Sequence, residues 1–486
     1  MLVSDRPSGK EPARPPAGRL PPGARVVRDG RARLRAGDAF LTGGAPWGVT
    51  RLSPPARPFA RRLFAVGDQG LLPAEGLERT VAYLLVQRGF AHPIVQPRPV
   101  AAVTVIVPAF DRVDLPDACL RSLAGLDVIV VDDASTRADA VRRVADTHRA
   151  RLIRHSANRG PGAARNTGAA AAGTPFLAFV DSDCTVPPGW LDGLLPHFDD
   201  PRVGMVAPRV RPRPSGTSLF ARYEEMRSAL DMGPDPHLVR DGGPLGYLPS
   251  AALVVRRAAV AETGFDAGMR VGEDVDFVWR VSDAGWHARY DPSVEVHHEI
   301  RVRPLEWARR RLQYGSSAGP LDRRQPGRLA PVRPSAWNVA TVALLLGRWL
   351  GAAAGVTTAS TVLLHRRLGK VEAPPWLTAV VAGKGVLADA LAVGHALRRE
   401  WWPVGWAAVA CARRSPVAAS AAVAMLAPIA LEHVRSRPAI GPVSYAALRL
   451  IEDAAYGTGV LLSAVTARRP GVLCPQVRWP TVRRRW

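Results

Sequence analysis

Apolar positions fall into three regimes along the chain. Between residues 24 and 97 they come in short pieces. Phe40-Leu41 and Trp47–Leu52 flank Gly43-Gly44, a turn signal that predicts a hairpin. Helical periodicity follows over Phe59–Val66 and Leu77–Phe90, the second closed by Gly89-Phe90 and Pro93. Strands with short helices predict a small winged-helix-like unit over 24–97. From 98 to 320, continuous apolar runs alternate with amphipathic ones. Ala102–Pro108, Val128–Val131 and Phe176–Val180 read as buried parallel strands, and Leu152-Ile153 starts a shorter one. Leu115–Ala124, Arg137–His148 and Gly162–Ala172 read as the helices between them, which predicts βαβ units. After Pro334 the polar face is lost. Trp349–His365 and Ser415–Leu431 each run 17 residues without a charged side chain, at the lower edge of what spans a bilayer. Ser335–His365 is long enough to span if Arg348 is tolerated, with Arg366-Arg367 as a cytoplasmic anchor. We expect a helical, membrane-associated region over 321–486, an interfacial position being favoured over true spanning.

Composition adds three limits. A hydrophobic content of 47% excludes disorder as a description of the whole, although the Pro-, Gly- and Arg-rich residues 1–23 read as a disordered leader. Cys119, Cys184, Cys411 and Cys474 form no CxxC or CxxH pair, which argues against a disulfide scaffold or a cysteine zinc site and fits a reducing compartment. No charged-then-apolar signal opens the chain, so export is not expected.

The net charge of +23 is unevenly placed. Residues 1–300 carry 38 basic and 34 acidic side chains, whereas 301–486 carry 27 and 8. Basic side chains beside apolar stretches predict an anionic membrane surface as partner. No aromatic and basic interleaving or DNA-reading motif is present, so no nucleic-acid partner is expected.

The chemistry-bearing residues sit where buried runs end, the place where parallel sheets bind ligands. Val128–Val131 leads into Asp132-Asp133, and Phe176–Val180 into Asp181-Ser182-Asp183. Gly272-Glu273-Asp274 precedes a helix-like Val275–Val281. Two carboxylates two residues apart can share a hard divalent cation; the same residues also suit a solvated turn or a helix cap. Glu273-Asp274 suits a general base and equally a helix N-terminus. Arg165, near a helix start, is either a diphosphate ligand or a surface residue. His297-His298-Glu299 follows the strand-like Ser293–Val296, and neighbours on a strand face opposite ways, so one histidine of the two is a candidate metal ligand; His298 is chosen.

The order Val105-Ile106-Val107-Pro108-Ala109-Phe110-Asp111, Val130-Val131-Asp132-Asp133-Ala134-Ser135, Asn158-Arg159-Gly160 with Ala164-Arg165-Asn166-Thr167-Gly168, Asp181-Ser182-Asp183 and Gly272-Glu273-Asp274 resembles the family 2 glycosyltransferases with a GT-A fold. One departure is Asp111, where that family more often has Asn. The resemblance implies an α/β fold, a Rossmann-like mixed sheet with flanking helices over 98–320. It implies nucleotide-sugar contacts from Pro108, Ala109, Asp111, Asp132, Asp133, Arg165, Asp181 and Ser182, with Asp132 or Asp133 on the uracil. Asp183, Asp181 and His298 would hold Mn²⁺ or Mg²⁺. Asp274, beside Glu273, would be the base of an inverting transfer. Arg309–Gly315 is similar to the basic, Gln-containing helix of processive members, which assigns Arg310, Gln313 and Tyr314 to the diphosphate or acceptor; the full QxxRW pattern is missing.

A closer resemblance covers almost the whole chain. Gly89-Phe90-Ala91-His92-Pro93, Tyr247–Leu253, Arg270–Asp276 and Tyr314–Ala318 look like the mycofactocin-system glycosyltransferases of actinobacteria. This implies transfer of glucose from UDP-glucose to a peptide-derived redox cofactor or its precursor, on the cytoplasmic side of the membrane. The 24–97 unit is similar to small peptide-binding chaperone domains, or else caps the catalytic domain. Two rivals stand beside this reading: transfer to a polyprenyl phosphate or cell-envelope glycan, and a peptide-binding scaffold with a vestigial transferase site.

Overall fold

A computed structural model describes residues 15–99, 102–111, 114–213, 216–261, 263–300, 303–369 and 372–479. Residues 1–14 of the expected leader therefore lie outside the described residues. The chain divides into two compact units, Met1–Arg213 with Ala229–Glu299, and Pro214–Ser228 with Ile300–Trp486. The division falls near residue 300, and the short insertion Pro214–Ser228 belongs with the C-terminal helices.

The first unit begins with β1 (Arg25–Arg28), β2 (Arg33–Arg35), β3 (Phe40–Gly43), β4 (Gly48–Arg51), α1 (Arg57–Ala65), α2 (Leu77–Gln87) and β5 (Ala91–Ile94). The expected hairpin is β3–β4, the middle and edge of a three-stranded antiparallel sheet, while β1 pairs with β5. Leu41, Phe59, Leu63, Leu85 and Phe90 fill its core.

Next come β6 (Val103–Ala109), α3 (Asp114–Ser122), β7 (Asp127–Asp132), α4 (Ala138–Thr147), β8 (Arg151–Arg154), α5 (Pro161–Ala171), β9 (Phe176–Val180), β10 (Cys184–Thr185), α6 (Trp190–Leu194) and β11 (Val203–Pro212). After the insertion α7 (Leu219–Arg227) follow β12 (His237–Val239), β13 (Ala252–Arg256), α8 (Arg257–Ala261), α9 (Glu273–Asp283) and β14 (His287–His298). One mixed sheet runs β10-β14-β11-β13-β9-β6-β7-β8, with β12 against β14. β6, β7, β8 and β9 are parallel, as the continuous apolar runs predict, and β13 is antiparallel to both neighbours. Val105 and Val107 point into a core with Leu120 of α3 and Leu123 just after it, while Ile106 points into the opposite core with Phe277 and Val281 of α9. Both faces are therefore covered by helices, and the strand ends are left as the open edge. This is the GT-A arrangement.

The second unit holds α7, α10 (Pro304–Ser316), α11 (Ala318–Arg324), α12 (Ala336–Leu346), α13 (Leu350–Gly369), α14 (Pro375–Arg398), α15 (Trp402–Cys411), α16 (Pro416–Ser436) and α17 (Pro442–Thr466). The continuous helix considered for 335–365 is broken after Leu346, where Arg348 takes a left-handed φ of 63°. α14 and α16 are the helices long and apolar enough to cross a membrane among the described residues. Leu387, Leu391, Val423 and Val434 on them are exposed.

Buried charges tie the second unit together. Glu224 of α7 accepts from Trp307 Nε1 (2.6 Å) and pairs with Arg311 of α10, whose Nε lies 2.9 Å from Glu452 of α17. α10 and α17 cross through glycine. A Cβ on Gly315 would collide with the Tyr456 carbonyl oxygen, and one on Gly459 with that of Leu312. Backbone cannot yield as a side chain does. Gly315→Leu is expected to cost about 3 kcal/mol or more and to lower the melting temperature by several degrees in a thermal scan. An unchanged melting curve would remove this crossing from the account.

Candidate active site

The β6–β7 register sets Ala109 beside Asp132, so the loops after both strands share one edge. Asp111 takes φ 52°, a conformation that Asn and Asp tolerate better than most side chains. Its Oδ1 accepts from Thr136 N (2.7 Å) and Thr136 Oγ1 (2.8 Å), and these bonds hold its carboxyl below the usual range. Asp132 at the end of β7 and Asp133 just after it are both buried. Asp132 accepts from Ser135 N (3.0 Å) and pairs with Arg154. Asp133 accepts from Arg159 N (2.9 Å) and Gly160 N (2.7 Å) and bonds His155 Nδ1 (2.7 Å), shaping the turn into α5. Phe110, which sequence reasoning passed over although it lies inside the quoted motif, is 47% exposed beside them. Pro108 is half-buried and Ala109 buried at the end of β6, so Phe110 is the exposed side chain that follows them.

Arg165 is not a surface residue. It is 3% exposed on α5 and bridges two motifs: Nη2 donates to Asp181 Oδ1 (2.6 Å), and Nη1 donates to Glu273 Oε1 (2.9 Å). Its guanidinium also lies 5.3 Å from the Phe265 ring centroid. Glu273 is thereby occupied as an ion-pair partner of Arg165. Gly272, at φ 82°, turns the chain into α9, which opens on Glu273 and carries Asp274 in its first turn. Asp274 accepts from Val275 N (2.8 Å) and, at 3.4 Å, from Ser250 N. Burial and the adjacent Glu273 push its carboxyl up to about 7. Ser250-Ala251 also reaches the second motif, since Asp181 N donates to Ala251 O (2.9 Å).

Asp181, Ser182 and Asp183 form the link from β9 to β10, closed by Cys184 N donating to Asp181 O (2.9 Å). β10 pairs Cys184 with His298, and Glu299 N donates to Asp183 O (3.0 Å). His298 is buried, which pushes its pKa down although Asp183 and Asp181 act to raise it. Its Nδ1 lies 3.0 Å from Glu299 O, so Nδ1 carries the proton and Nε2 keeps a lone pair. A neutral imidazole next to an aspartate is a sound donor pair for Mn²⁺ or Mg²⁺. Among the described residues no three His, Cys, Asp or Glu side chains are already gathered around one point. The fit is therefore to a cation held by Asp183 and His298 and completed by ligand oxygens. Arg310, Gln313 and Tyr314 lie on α10 of the second unit, Arg310 4.8 Å from the Tyr314 ring centroid.

Residues 104–264 match the model of the family described as "Glycosyl transferase family 2". The chain is 35% identical to a "Pre-mycofactocin glycosyltransferase" of Mycobacterium tuberculosis, over 95% of this chain and 99% of the relative. It is 30% identical to an "N-acetylglucosaminyl-diphospho-decaprenol L-rhamnosyltransferase" of the same species, over 41% of this chain and 75% of the relative. A solved mannosyltransferase from Pyrobaculum calidifontis is 23% identical with a TM-score of 0.37, covering 61% of this chain and 88% of its own; that overlap places no residue of this site. With its strand-end carboxylates, its GT-A sheet and a full-length relative, the chain belongs to the family 2 glycosyltransferases, close to the pre-mycofactocin glycosyltransferase.

Proposed function

We propose that the protein transfers glucose from UDP-glucose to a peptide-derived redox cofactor or its precursor, by a metal-dependent, inverting displacement. The observation that carries this reading is Arg165, which ties the Asp181–Asp183 link to the helix bearing Asp274. Diphosphate neutralisation and proton removal thus sit on one rigid frame. The identity of the acceptor rests on the full-length likeness.

Phe110 offers its exposed ring to the uracil. Asp111, with its carboxyl held ionised by Thr136, and the backbone around Ala109 fix the nucleoside. Asp183 and His298 Nε2 would hold the cation, which supplies charge neutralisation to the departing diphosphate. Asp274 takes the proton from the acceptor hydroxyl as that oxygen attacks the anomeric carbon opposite the leaving group. A base near 7 is matched to that task at cytoplasmic pH. Arg165 holds Asp181 and Glu273 apart from both jobs and keeps the frame rigid. The Arg-rich second unit, with α14 and α16, rests on an anionic membrane on its cytoplasmic side.

The decaprenol-linked relative and the apolar helices favour a second reading, with a polyprenyl-linked acceptor. One experiment separates them. Labelled UDP-glucose is supplied with either the peptide-derived precursor or polyprenyl phosphate, and the product is partitioned between water and organic solvent. Label in a water-soluble peptide product, β-linked, is expected. Label confined to the organic phase would overturn the acceptor assignment, and an α-linkage would overturn inversion.

A further inference from the structure

At the start of β14, far from the carboxylates, the first unit buries an excess of positive charge. β14 is 12 residues long, and at about 3.3 Å per residue its first residue lies on the order of 30 Å from His298. Arg289 is 3% exposed, and its Nε is buried without a hydrogen-bond partner, while Asp200 and Asp291 act on its charge. Arg202 Nε is likewise buried and unpartnered. Arg240 Nη2 donates to His287 Nε2 (3.4 Å), which places the His287 proton on Nδ1, and that atom too is buried without an acceptor. Burial first, and then the charges of Arg289, Arg240 and Arg202, hold His287 neutral, with its pKa pushed down to about 3.

Two carboxylates answer this group in part. Asp291 is bound to His197 Nε2 (2.7 Å), and Asp200 Oδ1 accepts from Arg202 N (3.1 Å) and the Tyr83 hydroxyl (3.4 Å). Three guanidinium groups against two carboxylates leave positive charge over. Three buried N–H donors, on Arg202, His287 and Arg289, face one unsatisfied acceptor, Asp200 Oδ2. Buried polar groups in such excess are costly unless an acceptor-rich partner meets them.

We propose that Arg202, Arg240, His287 and Arg289 form a binding site for a phosphate-type oxyanion, separate from the transferase centre. Four tetrahedral oxygens answer several converging donors where a carboxylate has two and a water fewer still. Tyr83 of α2 brings the N-terminal module to the rim, so the anion would fasten that module to the sheet. Arg240 and Arg202 are half-buried, so their guanidinium groups stay within reach of an ion from solvent.

The test is thermal unfolding of the full chain in EDTA at constant ionic strength, with inorganic phosphate, glycerol 3-phosphate or acetate. Phosphate is expected to raise the melting temperature by several degrees in the wild type and in Asp183→Ala, and acetate to do so far less. Arg289→Met loses the shift but melts no lower than the wild type without phosphate, because it removes an uncompensated buried charge. Arg240→Gln, at a half-buried position, weakens the shift and guards against a folding artefact in the first variant. An equal shift with glycerol 3-phosphate identifies the phosphoryl group of a larger molecule, and a shift with phosphate alone identifies the free ion. No shift with either, or an undiminished one in Arg289→Met, overturns the site.

Discussion

Asp274→Asn is expected to lower kcat by between about 10²- and 10⁴-fold, the usual contribution of a positioned base, while donor affinity is kept. The same substitution should stabilise the fold. Asp274 has a carboxyl raised to about 7 by burial and by Glu273. The folded chain therefore holds a proton that the unfolded chain has already released. Stability falls as pH rises from the ordinary carboxylate range to about 7, and above that the charged group carries its full penalty. Asn carries none, so the variant should melt higher than the wild type at pH above 7, with the difference shrinking as pH falls toward the carboxylate range. In the wild type, kcat/KM should decline below pH about 7 with a slope of one proton. A profile flat down to the carboxylate range, or an active Asn variant, would remove Asp274 from the proton transfer.

The second large effect is at Asp183. Neutralising a departing diphosphate is worth several kcal/mol, and each 1.36 kcal/mol is tenfold in rate, so Asp183→Ala should lose about 10³-fold in turnover or more. Asp183 contributes a charge and His298 a neutral lone pair, so His298→Ala should instead raise the metal concentration needed for half-maximal rate. Because among the described residues no group of three His, Cys, Asp or Glu side chains is already gathered around one point, Mn²⁺ should bind weakly to the protein alone and tightly once UDP is added. Electron paramagnetic resonance of Mn²⁺, with and without UDP, reads this directly. Equal affinity in both conditions would contradict a site completed by the donor's oxygens.

The parallel half of the sheet was legible because β6, β7 and β9 are buried on both faces and read as unbroken apolar runs. β11 was not, since Pro208, Arg209 and Arg211 interrupt it and its partner register shifts there. β12 is three residues long and carries almost no pattern. In the C-terminal region, Lys384 and Asp389 hid α14 as a long apolar helix, and the backbone turn at Arg348 divided the stretch that looked continuous. The site divides in the same way. Strand-end carboxylates are local in sequence and could be read as motifs. The partner of Arg165 could not, because Glu273 lies 108 residues away and only the fold brings them together. Spacing likewise says nothing of whether a carboxylate points outward: Asp132 accepts from Ser135 N in its own loop, and Asp133 accepts from Gly160 N in the turn into α5.

The most direct test of the account is donor turnover. Purified chain, in mild detergent, is given UDP-, GDP- and dTDP-sugars with and without Mn²⁺, and free nucleotide is measured for the wild type, Asp183→Ala and Asp274→Asn. Metal-dependent release of UDP from UDP-glucose is expected in the wild type, accelerated by the peptide-derived acceptor. Asp183→Ala should lose both rates, while Asp274→Asn should bind UDP-glucose and fail to transfer. Turnover that ignores metal, or that survives in Asp183→Ala, would contradict the account.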